Sequence, residues 1–269
     1  MPDEEHPSER FRRFARTALA HWNGGRSSRH DAERAREVYQ SSTMGALIDG
    51  VYDGDVTVGE LLRHGDFGLG TFNHLDGEML VLDGVCYHLR ADGSVEIASD
   101  SDLSPFAAMT HFSAGTTREV SSPMTRGEVT ALIDRTARST NLMYAVKVTG
   151  HFSDVRTRTV KEQKQPYPPL TEAAAGQAET VFSDLDGTLG GYRTPDYEQG
   201  ISVAGYHLHF IDDSHSRGGH CLDFTLQHGT IELTERSELQ LSLPTTEQFL
   251  NSDLTPANLE GQIKQAEGG

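Results

Sequence analysis

The 269-residue sequence predicts an α+β fold with two lobes and mixed β-sheets. Between residues 79 and 97, short apolar runs alternate with Asp/Gly turns, a pattern typical of β-hairpins. Residues 126–137 have the apolar spacing of an amphipathic helix. After the proline-rich stretch 164–178, the apolar segments are short and separated by turn residues, which favours strands. These observations predict an N-terminal α+β lobe followed by a strand-rich C-terminal lobe.

The individual elements follow from local patterns. Two strands are expected to pair around Asp83-Gly84, because this dipeptide favours a two-residue hairpin turn. The elements predicted in the N-terminal lobe are a helix or turn at residues 44–48, a helix at 58–62, strands at 79–82, 85–89 and 95–97, a helix at 126–137, and extended segments at 143–152 and 156–160. Those predicted in the C-terminal lobe are strands at residues 179–182, 188–192, 201–211, 219–227 and 230–243, and a helix or arm at 245–268.

The same patterns set the expected domain boundaries. Residues 1–35 are rich in Arg, Glu, His and Ser, and we expect a polar arm that is at least partly disordered. We expect the N-terminal lobe to span residues 36–165. Residues 166–269 are expected to form the C-terminal lobe, which carries a metal site and ends in an arm. The boundary falls in the proline-rich stretch, where neither the helical nor the strand spacing of apolar residues continues.

The charge of the chain limits its partners. Forty acidic residues against 23 Lys and Arg give a net charge of −17, which disfavours nucleic acid and anionic membranes. Four of the bases are Lys and the rest are Arg. An acidic, Lys-poor surface predicts adaptation to high salt, where screening reduces self-repulsion. A GC-rich genome that favours Arg codons is the alternative explanation.

Apolar segments and cysteines point to a cytoplasmic protein. No apolar run approaches the roughly 18 residues of a membrane-spanning helix, and the N-terminal stretch lacks the apolar core of a secretory signal. Cys86 and Cys221 do not form a CxxC pair, so neither a disulfide framework nor a Cys-rich zinc site is indicated.

Three histidines near the end of the chain have a spacing suited to metal binding. His207 and His209 are two residues apart, so on a strand both side chains point to the same face. The polar residues 211–217 predict a hairpin turn that returns His220 to that face. Three neutral imidazoles predict an open zinc site, although iron, copper or nickel also bind imidazole. The alternative is a chance cluster among 13 histidines.

Two neighbours of these histidines are expected to lie outside the site. His215, within the turn, is expected to be solvated. Cys221 alternates to the opposite face from His220 and is expected to lie in the core.

A metal with three neutral ligands keeps its full charge and is a strong Lewis acid. Two reaction classes fit: activation of water, as in a hydrolase or hydratase, and chelation of a substrate with stabilisation of an enolate. A cupin-like enzyme would need a Glu shortly after the HxH motif, and none is present. A zinc-binding module without activity would instead supply a fourth protein ligand.

The segment DLDGT at residues 184–188 matches the DxDGT motif of haloacid-dehalogenase-like phosphatases. In those enzymes the motif opens an α/β domain, whereas the residues that follow it here predict strands. No GDxxxD segment comes later. We therefore interpret residues 184–188 as a strand–turn–strand loop.

A series of short motifs runs from residue 38 to the C-terminus. They are YQSSTM at residues 39–44, GDFGLGTFN at 65–73, LDGE at 75–78, TRT at 157–159, GT at 187–188, YRTP at 192–195, GISVAGYHLHF at 200–210 and GGH at 218–220. In this order they resemble the α-acetolactate decarboxylase family. Each motif alone is weak, but the ordered series is specific.

The resemblance implies a zinc cofactor and a set of site residues. The family has three histidine ligands, a carboxylate in the LDGE motif, an arginine in the TRT motif, a threonine near the site and a carboxylate close to the C-terminus. In this sequence they fall on His207, His209 and His220 for the metal, and on Glu78, Arg158, Thr71 and Glu267 for catalysis.

The resemblance also implies the reaction, decarboxylation of 2-acetolactate to acetoin and carbon dioxide by a homodimer without an organic cofactor. Zinc would chelate the ketone and hydroxyl oxygens and stabilise the enediolate. Arg158 would bind a carboxylate or enediolate oxygen, and Glu78 would hold the hydroxyl or relay a proton. Without the resemblance, Arg158 is an ordinary surface arginine, Glu78 a solvated turn residue and Glu267 part of a disordered tail.

Overall fold

The computed structural model describes residues 36–175, 177–256 and 258–267. The predicted N-terminal arm, residues 1–35, lies outside the described residues. The range Glu37–Gly269 forms one unit. Within the described ranges, no helix has both the length and the apolar character needed to cross a lipid bilayer.

Strands make up most of the described chain. They are β1 (Glu37–Ser41), β2 (Val56–Thr57), β3 (Phe67–Thr71), β4 (Glu78–Leu82), β5 (Val85–Leu89), β6 (Val95–Ile97), β7 (Leu103–Ser104), β8 (Phe106–Thr110), β9 (Thr116–Val120), β10 (Met124–Thr125), β11 (Met143–Thr159), β12 (Ala178–Thr194), β13 (Gly205–Asp212), β14 (Gly218–Arg236) and β15 (Glu238–Ser242). The helices are α1 (Met44–Ile48), α2 (Val58–Leu61), α3 (Arg126–Thr136), α4 (Leu170–Ala175), α5 (Glu247–Leu250) and α6 (Leu259–Glu267).

The first sheet has seven strands in the order β15-β1-β8-β3-β4-β5-β6. β1 and β15 run parallel, and the other neighbours are antiparallel. Asp83 and Gly84 join β4 to β5 with positive φ angles of 50° and 78°, as a tight hairpin turn of this kind requires. The register places Thr71 on β3 opposite Glu78 on β4, so these two residues meet at one end of the sheet.

The second sheet is built from long strands in the order β10-β14-β11-β12-β13, and β9 also pairs with β14. Because β13 also pairs with the start of β14, the strands β11 to β14 close into a ring. Phe152, Phe210 and Phe224 pack edge to face within its apolar core. The pairing places His209 opposite His220 and His220 opposite Arg158.

Helices α1, α4 and α6 share a separate apolar cluster that includes Met44, Leu170 and Ile263. Helix α6 buries Ile263 and Ala266, while Lys264 on its other face is exposed. Packing of one apolar stripe therefore holds this short helix, because nine residues are too few for a stable isolated helix. Its last residue is Glu267.

The structure confirms the strand-rich α+β fold and many local predictions. Helices α1, α2 and α3 and strands β4, β5 and β6 lie within one residue of the predicted bounds. Each is encoded by adjacent residues: an apolar spacing, a turn dipeptide, or a cap. In α3, for example, Thr125 and Glu128 form a capping box.

Several predicted segments differ from the structure. Residues 143–152 and 156–159 belong to one strand, β11, and residues 179–182 and 188–192 to another, β12. The polar residues that suggested a break, such as Asp184 and Asp186, point to solvent. The pairing with β11 is interrupted only at Asp184, whose φ is +54°, and it resumes in the same register at Ser183. The proline-rich connection contains helix α4, and strands β1, β3 and β8 were not predicted.

Strands from the two predicted lobes pair with one another. β1 lies in the range 36–165 but pairs with β15, from the range 166–269. β11 likewise lies in the first range and is hydrogen-bonded to β12 and β14 of the second. Residue 165 is therefore not a boundary between the two sheets, and the division into lobes stays a prediction.

Candidate active site

Three histidines converge where β13 and β14 form their hairpin. His207 and His209 lie on β13, and the pairing places His220 directly opposite His209. His207 Nε2 lies 3.2 Å from His209 Nε2. One nitrogen from each of the three rings lies within 4.8 Å of the others, a spacing compatible with a shared metal ion. The arrangement is the one that the HxH spacing and the hairpin turn predict.

Burial keeps these imidazoles neutral. It lowers the pKa of His207 and of His209 to about 3, and the pKa of His220 falls well below its usual value, with the Arg158 charge adding to the shift in each case. Neutral imidazole is the form that offers a lone pair to a metal.

Hydrogen bonds select which nitrogen stays free. His209 Nδ1 donates to the carbonyl oxygen of Met79 at 2.8 Å, which leaves its Nε2 lone pair toward His207. His220 Nε2 lies 3.2 Å from the backbone oxygen of Glu267 and 3.4 Å from Arg158 Nη2, so it donates to the carbonyl in one tautomer and accepts from the guanidinium in the other. Such bonds to the second nitrogen fix ring orientation at metal sites.

Arg158 is buried beside the histidines, with 4% of its surface exposed. Its Nη2 donates to Glu267 Oε2 at 3.3 Å, and its Nη1 donates to Gln177 Oε1 at 3.4 Å. Its Nε is buried and has no hydrogen-bond partner among the described residues. Arg158 therefore presents a cation and an unused donor inside the site.

Two carboxylates complete the cluster. Glu78 Oε2 lies 3.6 Å from His209 Nε2, and Glu267 Oε2 lies 3.6 Å from His207 Nε2 and 3.5 Å from His220 Nδ1. Burial raises the pKa of Glu78 to about 8, although Arg158 opposes the shift. Burial also raises the pKa of Glu267, again against the Arg158 charge. Glu78 therefore holds a proton near neutral pH in the metal-free protein.

Thr71 is buried next to Glu78 but its hydroxyl is engaged. Thr71 Oγ1 donates to the carbonyl oxygen of Gly77 at 2.6 Å. Gly77 has a φ of +78°, and a Cβ there would lie 2.4 Å from the backbone oxygen of Leu89. Only glycine fits this turn, and Thr71 holds it in place.

A small inner cavity lies between these groups. Its volume is about 30 Å³, enough for two or three water molecules. The site residues that line it are Thr71, Glu78, Arg158, His207, His220 and Glu267. The structure thus brings all the sequence-predicted site residues together. His209 does not line the cavity itself, but its ring lies next to that of His207, which does.

The other sequence candidates lie elsewhere. His215 is exposed in the hairpin turn, where its Nδ1 contacts the hydroxyl of Tyr87, and Cys221 is buried. Asp184 and Asp186 lie within β12 and flank the ring of His151, at 3.0 and 3.1 Å. Residues 184–188 are thus a continuous part of a strand rather than a loop.

Sequence reasoning missed the groups that orient the site residues. The carbonyl of Met79 and the side chain of Gln177 were not singled out, because a backbone acceptor has no residue-type signal and Gln177 follows an alanine-rich segment. The carbonyl of Met79 could have been found from its position next to Glu78 on the same strand.

Comparisons with known proteins agree on one family. A family model described as alpha-acetolactate decarboxylase matches residues 38–256. The alpha-acetolactate decarboxylase of Methylococcus capsulatus is 44% identical over 231 residues, covering 86% of this chain and 88% of the relative. The one from Bacillus subtilis is 42% identical over 232 residues, covering 86% and 91%.

A solved structure gives the same result. The X-ray crystal structure of alpha-acetolactate decarboxylase from Bacillus subtilis strain 168 matches with a TM-score of 0.85 at 42% identity, covering 87% of this chain and 100% of that one. The family model spans the three histidines, Thr71, Glu78 and Arg158, and it ends before Glu267.

Proposed function

The chain belongs to the alpha-acetolactate decarboxylase family and decarboxylates acetolactate, and we propose that it does so with a zinc ion held by His207, His209 and His220. The products are acetoin and carbon dioxide. The observation that carries the metal proposal is the convergence of three buried, neutral imidazoles.

The donor set fits zinc better than a harder cation. Three nitrogen ligands suit zinc, whereas magnesium and calcium select oxygen-rich sites. Each neutral imidazole carries one nitrogen lone pair, and the bond from His209 Nδ1 to Met79 leaves that lone pair on Nε2. When bound, zinc supplies a Lewis acid beside the substrate oxygens, which takes up the negative charge that develops as carbon dioxide leaves.

Arg158 binds the anionic end of the substrate in this proposal. A buried donor without a partner costs roughly 1–3 kcal/mol, and an incoming carboxylate oxygen satisfies Arg158 Nε. The bond to Glu267 keeps the guanidinium plane fixed before substrate arrives. Such preorganisation lowers the cost of orienting the leaving carboxylate.

Glu78 supplies the proton that completes the reaction. Loss of carbon dioxide leaves an electron pair on the carbon beside the ketone, and that carbon must be protonated. Burial favours a protonated Glu78, and a cation held by the histidines would lower its pKa toward the working pH, where proton transfer is efficient. Thr71 holds the turn that positions Glu78, so the proton reaches one face and one acetoin enantiomer forms.

The family relationship supports two further proposals. The enzyme is a homodimer, which light scattering on the purified protein tests. We also propose that it works in the cytoplasm, which fractionation of the source cells tests.

The test is an acetoin assay with racemic 2-acetolactate on the purified protein. We expect acetoin above the spontaneous background, loss of activity with a chelator and recovery with zinc.

His207→Ala and His220→Ala should lose bound metal and activity together, because each removes a ligand. His215→Ala, in the exposed turn, is the matched control and should keep both. A folded, metal-free His220→Ala with full activity would rule out the metal site. Zinc-loaded wild type that forms no acetoin would favour a hydrolase or hydratase with the same ligands.

A further inference from the structure

A second cavity opens on the outer side of the histidine site. Its volume is about 460 Å³, within the range of small-molecule binding sites. We propose that this outer cavity first binds the substrate, and that Arg126 binds its carboxylate there. The inference rests on the proposed function, because the occupant is the anionic substrate of the same site. The residues of the outer cavity that matter to the argument are Arg126, Ala204, His220, Lys264 and Glu267.

The two cavities share a wall. His220 and Glu267 line both the outer cavity and the inner one. The inner cavity, at about 30 Å³, has room for a few water molecules and not for a branched hydroxy-keto acid. The substrate therefore reaches the histidines by way of the outer cavity, past the shared wall of His220 and Glu267.

The charges of the outer cavity leave Arg126 available. The charged side chains that line it are Arg126, Asp196, Glu260, Lys264 and Glu267. Lys264 Nζ pairs with Glu260 Oε1 at 2.7 Å and also feels the charge of Asp196, and Glu267 pairs with Arg158 at 3.3 Å. Arg126 makes no side-chain hydrogen bond or ion pair with any described residue. It is partly buried, so it attracts an anion more strongly than a cation on an open surface would, because the surroundings have a lower effective dielectric constant.

The helix that carries Arg126 does not explain a cation at this position. It is the first residue of α3, where the positive end of the helix dipole disfavours a cation. The whole chain carries a net charge of −17 and repels an anionic substrate. A cation in the approach to the site offsets that repulsion locally.

The experiment measures kcat and KM of the zinc-loaded enzyme across ionic strength for Arg126→Ala, Arg126→Gln and Arg126→Lys. Arg135→Ala is the matched control, because it removes the same charge from the exposed last turn of the same helix. At low ionic strength, Arg126→Ala and Arg126→Gln should lower kcat/KM by about fivefold to tenfold relative to Arg135→Ala, mostly through KM. Arg126→Lys should retain most of it, and the differences should shrink as salt is added.

A second variant tests the cavity itself. Ala204→Phe fills part of the outer cavity with a larger side chain and should raise KM with zinc content unchanged. Arg126 variants whose kcat/KM stays within twofold of the control, or that lose kcat with KM unchanged, overturn the proposal. A wild type without acetoin activity would contradict the proposed function instead, so the two failures are distinguishable.

Discussion

At the scale of single residues, hydrogen bonds to the backbone carbonyl groups of its neighbours hold Glu78 in position. The backbone oxygens at positions 76, 77 and 79 accept hydrogen bonds from His88, Thr71 and His209, respectively. Side chains from three strands therefore fix the backbone on both sides of one carboxylate. This is how a buried acid can be held next to the histidines with little freedom to move.

Glu78→Gln tests the buried acid in the metal-free protein. A carboxyl group whose folded pKa is raised, here from 4.5 to about 8, destabilises the fold as pH rises through that interval, because the unfolded chain ionises first. The wild type should therefore lose up to about 4 kcal/mol between pH 5 and pH 8 from this group, and the Gln variant should not. Thermal melts of chelated protein measure the difference.

The comparison between wild type and variant at each pH cancels the contribution of the three histidines, which both proteins share. A melting-temperature difference that stays constant from pH 5 to pH 8 would contradict the prediction. With zinc restored, Glu78→Gln should keep the metal and lose turnover, since an amide is too weak an acid to deliver a proton. An unchanged rate would remove Glu78 from the mechanism.

The residue scale is also where the sequence predicts most of the site. His207 and His209 follow from the two-residue repeat of a strand, and His220 follows from a hairpin of ordinary length. Arg158 and Glu267 carry no local signal of their own. They reach the site through strand pairing and helix packing between parts of the chain that are far apart in sequence.

At the scale of elements, local structure was predictable and long-range pairing was not. The hairpin of β4 and β5 is encoded by its turn dipeptide. Strand β1 carries the buried polar residues Gln40 and Ser41, and it becomes a strand by pairing with β15 from the other end of the chain. The length of β12 was hidden for a similar reason, because its polar middle faces solvent while the pairing with β11 keeps one register on both sides of Asp184.

Helix α6 is the element whose role is most open to test. Ile263→Ala should destabilise the protein by about 2–4 kcal/mol, because a side chain with 1% exposure leaves a cavity. Since Glu267 is carried by the same helix, kcat should fall as well. The measurements are thermal unfolding and steady-state kinetics of the zinc-loaded enzyme.

Leu250→Ala is the control, because Leu250 is 63% exposed on helix α5 and its truncation should change neither quantity. Glu267→Gln removes the charge of the carboxylate, keeps an oxygen that can accept from Arg158 and leaves the apolar face of the helix intact, and it should lower kcat. If Ile263→Ala lost stability but kept a wild-type kcat, the docking of α6 would not be needed to position Glu267.

At the scale of the whole molecule, the excess of acidic residues sets how the protein responds to salt. A net charge of −17 on 269 residues produces self-repulsion that added ions screen, since the Debye length falls from about 30 Å at 0.01 M to about 3 Å at 1 M. If the Lys-poor, acidic composition is an adaptation to high salt, the folded state should gain stability over this range.

We therefore expect the melting temperature to rise by several degrees between 0.01 M and 1 M KCl, with most of the gain at the low end where screening changes fastest. Melts in glycerol at matched osmolality provide the control, because glycerol leaves the charges unscreened. A flat or falling melting temperature in KCl would mean that repulsion does not limit stability. The preference for Arg over Lys would then be explained by codon usage, and the acidic residues would act on solubility and on the approach of the anionic substrate.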